Sequence, residues 1–158
     1  MGKFLNHIFR TYDIRGIVDK EITNALSKEI GKGFGTYVTN NDKHTIGVSC
    51  DVRPSSSYLL KELIEGLLST GVKVINFGEL PTPVNYYSLH NNNLNIDAAI
   101  QITGSHNPSE YNGFKFTFNK RPFFGDDIQL LYNIILKEKF ISGKGDCTDY
   151  NIISDYNK

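Results

Sequence analysis

Ser105 carries the strongest chemical signal in the chain, because of where the sequence puts its hydroxyl. It lies in Thr103-Gly104-Ser105-His106-Asn107-Pro108, directly after the short, mostly apolar and glycine-free run Asp97-Ala98-Ala99-Ile100-Gln101-Ile102. Such a run reads as an interior strand, and the segment from Thr103 to Pro108 reads as a sharp turn. Gly104 is expected to supply a backbone angle that residues with a Cβ resist, while Asn107-Pro108 punctuates the turn. A hydroxyl at the carboxyl end of an α/β strand stands where such sheets bind ligands, so Ser105 is a candidate nucleophile.

Its neighbours narrow the chemistry. An α/β-hydrolase elbow reads G-x-S-x-G, and the residue two after Ser105 is Asn107, so that motif fails. His106 is adjacent in sequence, and successive side chains of an extended segment point to opposite sides, which places it poorly as the base for Ser105. Downstream, Asn112-Gly113 is a strong turn signal. The run Phe114-Lys115-Phe116-Thr117-Phe118 then alternates, three Phe toward a core and Lys115 with Thr117 on the other side. A turn at Asn112-Gly113 brings Lys115 back toward Ser105. A serine and a lysine at a polar strand end suit a phosphate better than an acyl group. Taken alone, though, a serine in a turn is most often just a turn, and alternating Phe residues just one face of a sheet.

A second segment adds the missing context. Phe9-Arg10-Thr11-Tyr12-Asp13-Ile14-Arg15-Gly16 sets two arginines, a tyrosine and an aspartate before a glycine. Together with GVSCDVRPSS (Gly47 to Ser56), TPVNYY (Thr82 to Tyr87) and TGSHNPSEYNGFKF (Thr103 to Phe116), it resembles the α-D-phosphohexomutases. FRTYDIRG in place of an FGTDGIRG-like opening, and TGSHNP in place of TASHNP, resemble the phosphomannomutase/phosphoglucomutase branch rather than the phosphoglucosamine mutases. The likeness runs in order from about Ile8 to about Phe124.

The resemblance implies a fold and a mechanism. The fold would be that of phosphohexomutase domain I. Ser105 matches the serine that is phosphorylated in the active enzyme, passes its phosphoryl group to a hexose phosphate, and gives one phosphate oxygen to Mg²⁺. His106 and Asn107 match residues that shape this loop. Lys115 matches a lysine beside it, and Tyr12 and Arg15 match residues lining the same cleft. Hexose 6-phosphate and hexose 1-phosphate, of mannose or glucose, would interconvert through a hexose 1,6-bisphosphate intermediate. Other readings of these residues stay in view: Arg15 as a charge paired with Asp13, Tyr12 as a half-buried strand aromatic, and Asp51, Arg53 and Ser55 as a turn and helix cap.

The sequence departs from the family in one respect. The family's remaining metal ligands lie in a D-x-D-x-D-R type loop of a second domain, and no D-x-D-x-D occurs here; the only late acid pair is Asp126-Asp127. The later sugar-recognition loop and final phosphate-binding domain are not matched either. The expected organisation is a phosphoserine domain over residues 1–148 and a bridge, 149–158, toward a second domain. The chain alone is expected to be inactive, with self-association through the surface that would meet the second domain. A non-catalytic phosphosugar-binding module is the competing reading, and a serine hydrolase is disfavoured by the failed elbow.

Periodicity marks the elements that must position these residues. Ile22, Leu26, Ile30, Phe34 and Val38 mark an amphipathic helix interrupted by Gly31, Gly33 and Gly35. No strand precedes that glycine string, so it reads as close helix packing rather than a nucleotide loop. Thr45 to Ser49 and Val72 to Phe77 read as strands, and Leu59, Leu60, Leu63, Ile64, Leu67 and Leu68 as a helix stopping at Gly71. A third helix spans Val84 to about His90, a fourth is built on Ile128, Leu131 and Ile135, and Gly143 to Asp149 reads as a loop. Alternation of strand and helix predicts an α/β fold: three layers, α/β/α, around a mixed, mostly parallel sheet of about four main strands.

Composition bounds the rest. The 158 residues fit one domain, and seventeen basic and seventeen acidic side chains cancel. No basic stripe points to nucleic acid, and no apolar run approaches the roughly 20 residues of a membrane span. Cys50 and Cys147 have neither metal spacing nor a disulfide framework, and Cys50 is expected as a small buried hydrophobe. The N-terminus lacks a signal-peptide core, so the expected location is cytoplasmic. His7, His44 and His90 have no ligand spacing and read as surface residues.

Overall fold

Apolar residues at every fourth position produce the first helix. The computed structural model describes residues 6–156, and in it α1 spans Asn24–Asn40 and buries Leu26, Ile30, Phe34 and Val38. Thr23 caps it, its Oγ1 accepting the Leu26 N–H at 3.1 Å and so satisfying a donor that the helix cannot. Ile22, expected inside the helix, is bridged instead to Val18. The second helix, α2 (Ser56–Leu68), lies against α1 with little room between their backbones. A Cβ at Gly31 would meet the Leu63 carbonyl, and one at Gly66 the Lys28 carbonyl. The glycine string of α1 is therefore a packing face, as its context predicts.

The four main strands are β2 (Thr45–Cys50), β3 (Lys73–Glu79), β4 (Ala98–Ile102) and β5 (Tyr111–Phe118). Three short ones extend the sheet to seven: β1 (Ile14–Ile17), β6 (Arg121–Pro122) and β7 (Asp146–Asp149). Their shortness hides them from a hydrophobic pattern. β7 reads Asp-Cys-Thr-Asp and is exposed throughout, so the segment expected as a loop is an edge strand. The order is β1-β5-β4-β2-β3-β7, with β6 on β5. Pairing is parallel from β4 through β2 and β3 to β7, and antiparallel wherever β5 takes part. The sheet is mixed, as expected, but the short strands added to β5 leave parallel and antiparallel pairings evenly divided.

Helices cover both faces. One core joins α1, α2 and α4 (Asp126–Lys137) to the side of the sheet carrying Ile46, Val48, Ile100, Phe114 and Phe116. The other joins α3 (Thr82–Ser88) to Ile75, Phe77 and Ala99. Ile152, just before the short helix α5 (Ile153–Tyr156), is buried in this second core, so the segment after β7 folds back onto the sheet. Cys50 is buried at the end of β2; burial, then the nearby Glu79 and Asp51 carboxylates, pushes its thiol up to about 11. Both thiols are free. Among the described residues no helix is long and apolar enough to cross a membrane.

Candidate active site

Residue by residue, the site starts where β4 ends. All five β4 residues are buried, and the chain leaves the sheet at Thr103, whose N–H donates to the Gly113 carbonyl at 3.0 Å. The left-handed residue in the turn is Ser105 itself, at φ +55. Gly104 is not among the positive-φ residues, which corrects the expectation for it. Its lack of a side chain matters for space: a Cβ there would lie on the Arg53 guanidinium. Thr103 Oγ1 accepts the Ser105 N–H at 3.0 Å, and the Asn107 N–H donates to the Gly104 carbonyl at 3.0 Å. Ser105 is left half-buried and His106 exposed.

Asn112-Gly113 does not make the return turn. Both residues lie inside β5, opposite Gly16 and Arg15 of β1, and the reversal happens earlier, between Ser105 and Glu110. The reason is local. Asn112 Nδ2 donates to Ser55 Oγ at 2.7 Å and Ser56 Oγ at 2.9 Å, so its amide is consumed in the interior. A Cβ at Gly113 would meet the Ile14 carbonyl, so glycine serves close strand pairing here. The earlier reversal still brings Lys115 back beside β4. It stands opposite Gln101, on the sheet face away from the Phe core.

Arg15 joins the serine to a cavity. Its Nη2 donates to Ser105 Oγ at 3.3 Å and to Asp13 Oδ2 at 2.5 Å, while its Nε is buried without a partner among the described residues. Pairing with Asp13 and service at the site are thus the same arrangement. A cavity of about 540 Å³ is lined by Arg10, Thr11, Tyr12, Asp13, Arg15 and Lys115. Three cations face one carboxylate, and that carboxylate is already paired, so the net field favours an anion. Tyr12 is 71% exposed rather than half-buried, with its ring stacked on Phe124 at 5.9 Å between centroids. Of the six residues singled out by sequence, Tyr12, Arg15 and Lys115 share this cavity, and Arg15 ties it to Ser105. Asn107 serves through its backbone.

Asp51 and Arg53 do more than turn the chain. Asp51 Oδ2 accepts the Gly104 N–H at 3.1 Å, and its Oδ1 accepts Ser56 Oγ–H at 2.5 Å and the Arg53 N–H at 3.1 Å. Burial pushes the Asp51 carboxyl upward, but these hydrogen bonds outweigh it and hold the group below its ordinary range. Arg53 binds the carbonyls of Ser105, Asn107, Pro108 and Tyr111. Sequence reasoning missed this role, because those partners lie 52 to 58 residues downstream. The only local hint was an arginine in a turn after a strand. Ser55 is the residue before α2 but makes no side-chain cap; its hydroxyl goes to Asn112.

Asp126 and Asp127 lie in the first turn of α4, where acidic residues complement the helix dipole, and Asp127 Oδ2 accepts the Phe124 N–H at 3.3 Å. Among the described residues no group of three or more His, Cys, Asp or Glu side chains could hold a metal ion. The side chains present therefore do not fit a Mg²⁺ cage by themselves. His7, His44 and His90 are exposed, and His7 Nε2 lies 2.7 Å from Glu21 Oε2.

Comparison with known proteins bears on this arrangement. The family described as "Phosphoglucomutase/phosphomannomutase, alpha/beta/alpha domain I" matches residues 6–142. A phosphomannomutase/phosphoglucomutase of Pseudomonas aeruginosa is 37% identical over 96% of this chain and 32% of its own length. A phosphoglucomutase of Neisseria meningitidis is 34% identical over 100% of this chain and 34% of its own. The crystal structure of a phosphoglucomutase/phosphomannomutase family protein from Burkholderia thailandensis superposes with a TM-score of 0.92 at 35% identity, covering 98% of this chain and 35% of that one. The chain thus spans about a third of the length of these relatives. With the sequence, the sheet order and the helix layers in agreement, the chain belongs to the phosphoglucomutase/phosphomannomutase family, as its α/β/α domain I.

Proposed function

We propose that this chain is the phosphoserine-bearing part of a hexose-phosphate mutase, with Ser105 as the residue that holds and transfers the phosphoryl group. The observation that carries the reading is Arg15, which bonds Ser105 Oγ and also lines a cavity rich in positive charge. Phosphoryl transfer asks a protein mainly to position groups and to offset negative charge. A phosphoserine brings about −1.5 to −2 charges and three acceptor oxygens. Arg15 Nε is a buried donor without a partner among the described residues, and Lys115 is a second cation on the same cavity. A phosphate on Ser105 would stand at Arg15 Nη2 and have its charge offset by both cations.

In the proposed cycle a free 1- or 6-hydroxyl of a hexose monophosphate attacks the phosphorus on Ser105. The O–P bond to the sugar forms as the bond to Ser105 Oγ breaks; Oγ leaves with the bonding electrons, facing Arg15 Nη2, and ends as the serine hydroxyl with the proton that the sugar hydroxyl gives up. The resulting hexose bisphosphate turns over, and Ser105 Oγ attacks its other phosphate, which restores the phosphoserine and releases the isomerised monophosphate. Tyr12, exposed at the cavity, is positioned to hydrogen-bond sugar or phosphate oxygens. Mg²⁺, which the resemblance implies, would receive from this chain one phosphoserine oxygen.

The rest of the site belongs to the two thirds of the relatives that this chain does not span. In a polypeptide joining this chain to such domains, mannose 6-phosphate or glucose 6-phosphate should be converted to the 1-phosphate. Ser105→Ala should lower that turnover about a thousandfold or more. Unchanged turnover in Ser105→Ala would remove the serine from the mechanism.

A further inference from the structure

Arg53 is the best-bonded side chain near the site, and none of its bonds goes to a place a ligand would occupy. A guanidinium has five N–H donors in a planar fork. Nη1 donates to the carbonyls of Pro108 at 2.7 Å and Tyr111 at 3.1 Å. Nη2 donates to those of Ser105 at 3.0 Å and Asn107 at 2.7 Å. Nε donates to Asp51 Oδ2 at 3.2 Å. Five bonds use all five donors, so no N–H is left for a phosphate. The side chain is only 14% exposed, and Asp51 pairs its charge. Its four carbonyl partners span the whole loop, from the serine to the first residue of β5.

That loop needs holding. Ser105 is a non-glycine residue at φ +55, a conformation costing about 1–2 kcal/mol in an L-residue. Such a conformation persists where the surroundings over-determine it. Asp51 completes the grip by accepting the Gly104 N–H as well as the Arg53 Nε–H. Arg53 on the Ser105 carbonyl fixes the peptide plane after the serine, and Asp51 on the Gly104 N–H fixes the plane before Gly104, which together limit the backbone at Ser105 and so the direction of its Cα–Cβ bond.

We propose that Arg53 is the positioning residue of the phosphorylated loop: its guanidinium clamps four loop carbonyls, keeps Ser105 left-handed, and so aims Oγ at Arg15. The clamp itself stands on the bonds above. Only its consequence for phosphate rests on the function proposed for Ser105, and the experiment separates the two.

Three readouts on the full chain test it. In the unaltered protein, the Arg53 guanidinium should give separate, slowly exchanging NMR signals; a single averaged signal would overturn the clamp without any variant. Arg53→Lys keeps the charge but loses the fork, and Arg53→Gln loses both. In each, the amides of Asn107 and Tyr111 should exchange about tenfold faster or more, with those of Val48 and Ile100 unchanged. Unchanged loop exchange would overturn the clamp. Finally, phosphoserine built into position 105 is titrated by phosphorus NMR. Its second ionisation should lie below the usual value of about 6 and rise toward it in Arg53→Lys, although the charge is kept. A titration that Arg53→Lys leaves in place would overturn the aiming role. An ordinary titration in the unaltered chain, with the exchange differences present, would sink the phosphate reading and leave the clamp standing.

Discussion

Ser105 combines a reactive oxygen with a backbone conformation that a serine does not favour, and the two can be weighed apart by substitution. At φ +55 an alanine bears the same strain, about 1–2 kcal/mol, whereas glycine bears little. Glycine in turn loses about 0.4–1 kcal/mol through its freer unfolded chain. Strain wins, so Ser105→Gly should be more stable than Ser105→Ala by about 0.5–1 kcal/mol in urea unfolding. Equal stabilities, or the reverse order, would mean that the loop relaxes to an ordinary conformation. Asp51 gives a prediction in pH. Its folded carboxyl lies below the ordinary 3.8, so it contributes stability above that value and loses the contribution as pH falls through the lower, folded one. The deficit of Asp51→Asn against the unaltered chain should therefore hold steady from pH 7 to about 5 and shrink below about 4. A deficit that widened in acid would contradict the bonding described for Asp51.

At the scale of elements, α1 and α2 meet backbone to backbone. Ala at Gly66 would gain about 1 kcal/mol of helix propensity. Its Cβ, however, would enter the Lys28 carbonyl, and forcing backbones apart in a packed interior costs about 1–3 kcal/mol. Gly66→Ala should therefore be destabilised by about 1 kcal/mol in urea unfolding, and a stabilised variant would show that the helices are not in backbone contact. The same elements show what could be read in advance. Leu26, Ile30, Phe34 and Val38, or Ile100 between Ala98 and Ile102, announce themselves because burial follows a period of four or a short, mostly apolar run. The β7 strand has no such run and is specified by its neighbour β3. Asn112-Gly113 misleads for a related reason, since its turn chemistry is overruled by Ser55, Ser56 and the Ile14 carbonyl, all remote in sequence. Ser105, Arg15 and Lys115 were legible as a group through their motifs, whereas the fork of Arg53 needed coordinates.

For the whole molecule, the balance between what the chain holds and what it would need is the central point. It holds a strand-end serine, an arginine on that serine's oxygen and a cavity lined by three cations. It belongs to a family whose members here are about three times its length, and the proposed cycle also requires a grip on the far end of a hexose bisphosphate. A lone chain should thus show no measurable interconversion of hexose phosphates, with activity returning only alongside further domains. One measurement bears on the account most directly: joined to those domains, the chain is incubated with glucose 1,6-bisphosphate carrying labelled phosphorus, digested, and its phosphopeptides are mapped. The account predicts label on the peptide bearing Ser105 and none in Ser105→Ala. Label on any other residue, or label that survives in Ser105→Ala, would contradict it.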